Sequence, residues 1–203
     1  MDYTKLASNE TIQKTIAALK ANGIEAMLVS NGAAAKEKLF ELLPQGAEVM
    51  NMTSVTLETI SAAKEIVESG RYNSIRKKFM SMDRKSQGLE MQRLGAAPEW
   101  VVGSVHAVTQ NGEVMIASNT GSQLPAYAYG SSHVIWVVGA QKIVKDREQG
   151  FDRIYTHSLP LEAERAKKAY GVAGSFVSKI LVIAKEVQPN RITMILVNEV
   201  LGF

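Results

Sequence analysis

The residues of this chain best suited to chemistry are small, polar and short of charge, and they come in clusters. Ser118, Asn119, Thr120, Gly121, Ser122 and Gln123 stand in a row between two apolar segments, "GEVMIA" and "HVIWVVG". Thr53 and Ser54 follow the run "AEVMNM", and Gly139 and Lys142 follow "HVIWVV". Amides and hydroxyls of this kind, gathered where helices begin, attract a phosphate or a carboxylate. The same residue types also build ordinary turns and caps, so each cluster alone is open to both readings. Taken together they point to an anion pocket walled by Thr53, Ser54, Ser118–Gln123 and Gly139, with Lys142, just past a strand end, either pairing with the guest or lying as a surface lysine. A general base for such a pocket would be His133, which opens an apolar strand beside the polar loop, or His106. For His106 a hydrogen-bonded interior position is the competing reading, because it shares strand parity with Trp100, Val102 and Val108.

Other chemistries lack their residues. The chain has no cysteine, which excludes a thiolate-held iron–sulfur cluster, a thiolate zinc site and a cysteine nucleophile. The three histidines are scattered, so no metal site and no cofactor is expected. No phosphate-binding loop, dinucleotide fingerprint, Ser-His-Asp order or HExxH element occurs. No pair of carboxylates stands apart from the helix faces as an acid–base couple.

The elements that must position these residues alternate. Ile12, Ile16 and Leu19 recur at helical spacing after Ser8-Asn9, and Asn22-Gly23 stops that helix. "IEAMLVS" reads as a strand, "AAAKEKLFELL" as a helix and "AEVMNM" as a second strand. A third helix carries Leu57, Ile60, Ala63 and Val67 and closes at Gly70. This order predicts parallel strands with crossover helices. Residues 72–94 read as a longer helical region with a break at Gly88. Arg76, Lys77, Lys78, Arg84, Lys85 and Arg93 lie on its outer face, either as a solvated surface or as a patch for an acidic partner. Asn111-Gly112 predicts a hairpin between residues 100–109 and 113–118. "HVIWVVG", "KILVIA" and "ITMILVN" read as buried strands, and "KDREQGFDRI" and "LEAERAKKAYG" as helices. The expectation is a single α/β domain over residues 1–203, a three-layer α/β/α arrangement with one mixed, mostly parallel sheet. In such sheets ligands bind at the carboxyl ends of the strands, where the polar clusters fall.

Composition sets the outer limits. With 203 residues, 46% of them hydrophobic and 21% charged, the chain can bury roughly 70% of its unfolded surface without disulfides. A net charge of +3 is a slim excess for a nucleic-acid binder, so none is expected as a partner. The opening residues show no basic and apolar leader, and no apolar run approaches the ~20 residues of a membrane span. A soluble cytoplasmic protein without a membrane partner is the expectation.

The segments "GSVHAVTQNGEVMIASNTGSQLPAYAYGSSHVIWVVGAQKIV" (103–144), "PNRITMILVNEVLGF" (189–203) and "NMTSVTLETI" (51–60) resemble the LUD-domain family, lactate utilisation protein C-like. The resemblance implies the NagB/RpiA/CoA-transferase-like fold. It also implies a place in a system that oxidises L-lactate to pyruvate, in which iron–sulfur oxidoreductase subunits are the partners. Some CoA transferases on this fold carry a nucleophilic glutamate in a Ser-Glu-Asn-Gly corner. The similar stretch here reads Ser118-Asn119-Thr120-Gly121, without a carboxylate, which argues against covalent acyl transfer at that corner. The leading expectation is an accessory or regulatory subunit that binds a small anionic metabolite and has no redox centre. The alternative is an autonomous isomerase, hydrolase or transferase acting on a phosphorylated, carboxylate or CoA-linked metabolite. A homodimer is the default oligomer, and "AYAYG" (126–130) serves as its interface or as a lid over the pocket.

Overall fold

The computed structural model of the protein describes residues 2–203. In chain order the helices and strands are α1 (Asn9–Ala21), β1 (Glu25–Val29), α2 (Gly32–Leu42), β2 (Glu48–Asn51), α3 (Val55–Thr59), α4 (Ala62–Glu68), β3 (Asn73–Ser74), α5 (Ile75–Met80), α6 (Arg84–Ala96), β4 (Trp100–Gly103), β5 (Ala107–Thr109), β6 (Val114–Ser118), β7 (His133–Gly139), β8 (Ile143–Val144), α7 (Arg147–Arg153), α8 (Leu159–Tyr170), β9 (Lys179–Ile183) and β10 (Ile192–Val197). Wide helical turns span Ala126–Gly130 and Ile154–Ser158.

The strands form two sheets. The larger has the order β1-β10-β7-β4-β2-β3, and every pairing in it is parallel. Its central strands alternate sides. Val134, Trp136 and Val138 of β7 join one core, while Ile135 and Val137 join the other with Leu39, Leu57 and Ile66 from α2, α3 and α4. Burial on both faces is why this strand is apolar without interruption. The smaller sheet, β8-β5-β6-β9, packs on the first core through Val108, Val114 and Ile116. Its outer face turns Ala107, Met115 and Ala117 toward Ile154. Layers of helix, sheet and second sheet with helices give the three-layer α/β/α class.

Several local readings are corrected. The run 100–109 is two strands: β4 pairs in parallel with β7 and β2, and only β5 pairs antiparallel with β6. The chain changes sheets at Ser104–His106, so Val102 and Val108 fall in different cores and His106 has no parity with either. Residues 72–94 break at Ser81–Asp83, where the Asp83 carboxylate caps α6 on the amides of Lys85 and Ser86, while Gly88 lies inside that helix. The third helix likewise splits at Ser61, which has a left-handed φ of 57°. The strand "KILVIA" is only half-buried, because β9 is an edge strand paired with β6 alone.

Candidate functional site

Two connections leave the carboxyl end of the parallel sheet side by side. Ser104–His106 runs from β4 to β5, and Ala140–Lys142 runs from β7 to β8. Both reach the smaller sheet, where β5 pairs in parallel with β8. The crossing therefore draws Ser104, His106, Gln141 and Lys142 into one junction. Residues 198–203 continue from β10 over the same rim.

Lys142 is 2% exposed. Its Nζ donates to Thr56 Oγ1 and to Ser104 Oγ, each at 3.2 Å. The two hydroxyls lie 3.3 Å apart, and Thr56 Oγ1 is 3.2 Å from the Leu201 carbonyl. Among the described residues no carboxylate pairs with this ammonium. Burial, helped by the positive charge of Arg153, pulls the Lys142 pKa down from 10.5 to about 7. Gln141 donates through Nε2 to the carbonyls of Leu201 and Gly202, while its Oε1 is buried without a partner. Gly202 has φ 61°, and a Cβ there would stand 2.4 Å from Thr56 Oγ1. Only glycine closes the rim this tightly over Thr56.

Arg153 supplies the second buried cation. It is fully buried and donates through Nη1 to the His106 carbonyl and to Ser158 Oγ at 2.9 Å. Among the described residues its Nε and Nη2 have no hydrogen-bond partner. The other buried arginine, Arg191, shows the contrast. It spends its fork on the carbonyls of Ser131, Ala126 and Tyr127 and on the Glu186 carboxylate. Among the described residues Arg153 has no such carboxylate, and the neighbouring Asp152 accepts the Tyr3 hydroxyl. Burial lowers the Arg153 pKa from 12.5 to about 10. The wide turn that follows Arg153 brings Ser158 back to it. The Leu159 amide reaches five residues back to Ile154, and Pro160 has no amide to restore the tighter pattern.

His106 and His157 flank the two cations. His106 accepts the Ala117 amide at Nδ1, 3.1 Å away. Burial first, then the charges of Lys142 and Arg153, push its pKa from 6.5 to about 3, so the ring is neutral at physiological pH. His157 is lowered for the same reasons. A cavity of about 300 Å³ opens beside the cluster and is lined by Tyr3, Gln141, His157 and Gly202, with Val55 and Leu161 among its apolar walls. Its lining holds the outer neighbours of the cluster: Gln141 precedes Lys142, Gly202 covers Thr56, and the Tyr3 ring lies 5.8 Å from the Arg153 guanidinium carbon.

The sequence-derived candidates divide. Lys142 and His106 belong to the cluster, and Gly139 ends the strand that delivers it, with no room for a side chain against the Glu199 carbonyl. Ser54 caps α3 on the Leu57 amide and so sets the position of Thr56. Thr53 is exposed and accepts Nη2 of Arg76, which also reaches the Asn51 carbonyl. Arg76 therefore turns to the rim and leaves the outer basic face on which its sequence spacing had placed it. The Ser118–Gln123 loop starts beside His106 but bonds chiefly within itself. Ser118 Oγ accepts the Gly121 amide and lies 3.0 Å from Gln123 Oε1, and Gln123 Nε2 donates to the Ala117 carbonyl. The Ser122 amide goes to Thr120, and Asn119 accepts from Ser178. Among the described residues no hydrogen bond joins this loop to Thr53, Ser54, Gly139 or Lys142. His133 stacks on Trp100 at 4.0 Å. It opens β7 whereas Lys142 lies beyond the far end of that strand, about 20 Å away at the usual rise of a strand. The two histidines therefore do not share a site. Thr56, Ser104, Arg153 and His157 were not singled out from the sequence. The proline that widens the turn after Arg153 was the one local signal for it.

The sequence profile of the family described as LUD domain matches residues 12–197. A crystal structure of a DUF162 family protein from Deinococcus radiodurans has the same fold, with a TM-score of 0.58 over 96% of this chain and 100% of that one, at 12% identity. No curated protein matches the sequence.

Proposed function

The chain belongs to the LUD domain family, and from that premise we propose that it binds a small carboxylate metabolite at the Lys142–Arg153 junction, as an accessory or regulatory subunit of a system oxidising L-lactate to pyruvate. One observation carries the reading: two buried cationic side chains contact one segment of chain, and among the described residues no carboxylate neutralises either. A buried charge with open donors costs several kcal/mol unless it is paired. A monocarboxylate supplies the missing acceptors, and the family name supports lactate utilisation as the context. Electron transfer in this reading belongs to iron–sulfur partners, because a chain without cysteine has no thiolate to hold a cluster. The Ser118–Gln123 loop serves as a wall that fixes Ala117 against His106, with the anion held by the two cations.

Thermal unfolding in the presence of L-lactate, pyruvate, acetate and inorganic phosphate tests this. At a hundredfold excess over Kd a specific ligand adds about 2.7 kcal/mol, a rise in Tm of roughly 5–10 °C for a domain of this size. L-lactate and pyruvate should stabilise more than phosphate. No rise with any of the four would refute the proposal.

A further inference from the structure

The idle donors of Arg153 are Nε and Nη2, which form one side of the guanidinium. That edge offers two parallel N–H groups matched to both oxygens of a planar carboxylate. The Lys142 amine comes to the same stretch of chain. Its Nζ is 3.2 Å from Ser104 Oγ, and Arg153 Nη1 holds the carbonyl of His106, two residues on. The charge of Arg153 acts on the Lys142 amine, so the two groups are neighbours. A 2-oxo acid held by its carboxylate at the guanidinium edge carries its carbonyl one bond further on, toward that amine.

We propose that Lys142 is a nucleophile toward 2-oxo acids: with the carboxylate on the free edge of Arg153, its amine condenses reversibly with the adjacent carbonyl to form an imine. This rests on the anion-binding reading above and gives it a substrate class, the oxidised 2-oxo acid as distinct from the 2-hydroxy acid. The nitrogen lone pair adds to the carbonyl carbon, and the carbonyl oxygen takes a proton to become a hydroxyl. That hydroxyl leaves as water with the second hydrogen of the amine, and the carbon–nitrogen double bond remains. No oxidant or reductant is consumed. Thr56 and Ser104, each in contact with Nζ, pass the protons. The environment meets the requirement of such a lysine, which must be an uncharged amine near neutral pH, through desolvation and a second cation nearby. A carboxylate partner would hold the amine protonated and silent, and none is present among the described residues.

Pyruvate followed by sodium cyanoborohydride is the test, with intact mass and peptide mapping on the full chain. The expected result is one reduced adduct per chain on the peptide containing Lys142, suppressed by excess L-lactate and absent from Lys142→Arg. Should that variant fail to fold, the mapped position in the wild-type chain decides the question. Adducts confined to exposed lysines such as Lys5, with Lys142 unmodified, would overturn the inference. Calorimetry on the same samples separates the two levels. Heat of pyruvate binding without an adduct at Lys142 removes the imine and leaves carboxylate binding intact. Absence of both heat and adduct removes both.

Discussion

Lys142 and Arg153 are held in positions that lower the stability of the empty protein, and this gives each an unusual mutational signature. Replacing even a buried ion pair by apolar side chains of similar volume is commonly neutral or stabilising by about 1–4 kcal/mol, and an unpaired buried charge lacks the partner's attraction. Lys142→Met should therefore raise Tm of the ligand-free protein at pH 6–7 while weakening anion binding, and chemical denaturation reads the gain directly. The pH dependence follows from the depressed pKa. Between about 7 and 10.5 the unfolded lysine holds a proton that the folded one has released, so wild-type stability rises with pH across that window. Lys142→Met should lack this slope. His106 acts at the other end. Its folded pKa of about 3 against 6.5 means that the unfolded state takes up the proton first as pH falls. Stability is lost progressively between pH 6.5 and 3, and His106→Asn, whose side-chain oxygen can still accept the Ala117 amide, should flatten that limb. A stability profile equal to wild type in both variants would show that neither group is buried as described.

At the scale of elements, periodicity exposed what repeats and missed what interrupts. α1 was legible because Ile12, Ile16 and Leu19 share a face and Ser8 caps it. β7 was legible because both its faces are covered. The break between β4 and β5 was not, since "WVVGSVHAVT" stays rich in β-formers while the chain crosses from one sheet to another. Only the packing of Tyr127 marks the spot. A Cβ on Gly103 would sit 1.7 Å from the Tyr127 hydroxyl and 3.5 Å from Met52. Gly103→Ala should therefore destabilise by about 1–3 kcal/mol through overpacking at the junction, measured as a shift of the urea midpoint without a change in m-value. An unaltered midpoint would contradict this packing. The strand reading also missed the difference between β9 and β10. Both look apolar in sequence, yet β10 is paired on both sides by β1 and β7 while β9 has only β6. Amide exchange should be slowest in β10 and much faster in β9.

For the whole molecule, the fold class and the carboxyl rim of the sheet followed from the order of elements, because parallel strands leave few other arrangements. The composition of the site did not follow. Arg153 lies in a helix whose charges look solvated in sequence, and the wide turn at Ile154–Ser158 turns it inward. The Ser118–Gln123 cluster drew attention by its residue types, and its hydrogen bonds are mostly those of a self-contained turn. The account thus stands on two cations close in sequence, Lys142 before β8 and Arg153 at the end of α7, which meet where two connections cross between sheets. Calorimetric titration of pyruvate and L-lactate at neutral pH into wild type, Arg153→Met and, as a surface control, Arg165→Ala tests this most directly. Loss of a charged hydrogen-bonding partner costs about 1.5–3 kcal/mol, so affinity should fall roughly ten- to a hundredfold in Arg153→Met and stay unchanged in Arg165→Ala. Equal affinity in all three proteins, or no binding to the wild type, would contradict the assignment of the junction as the carboxylate site.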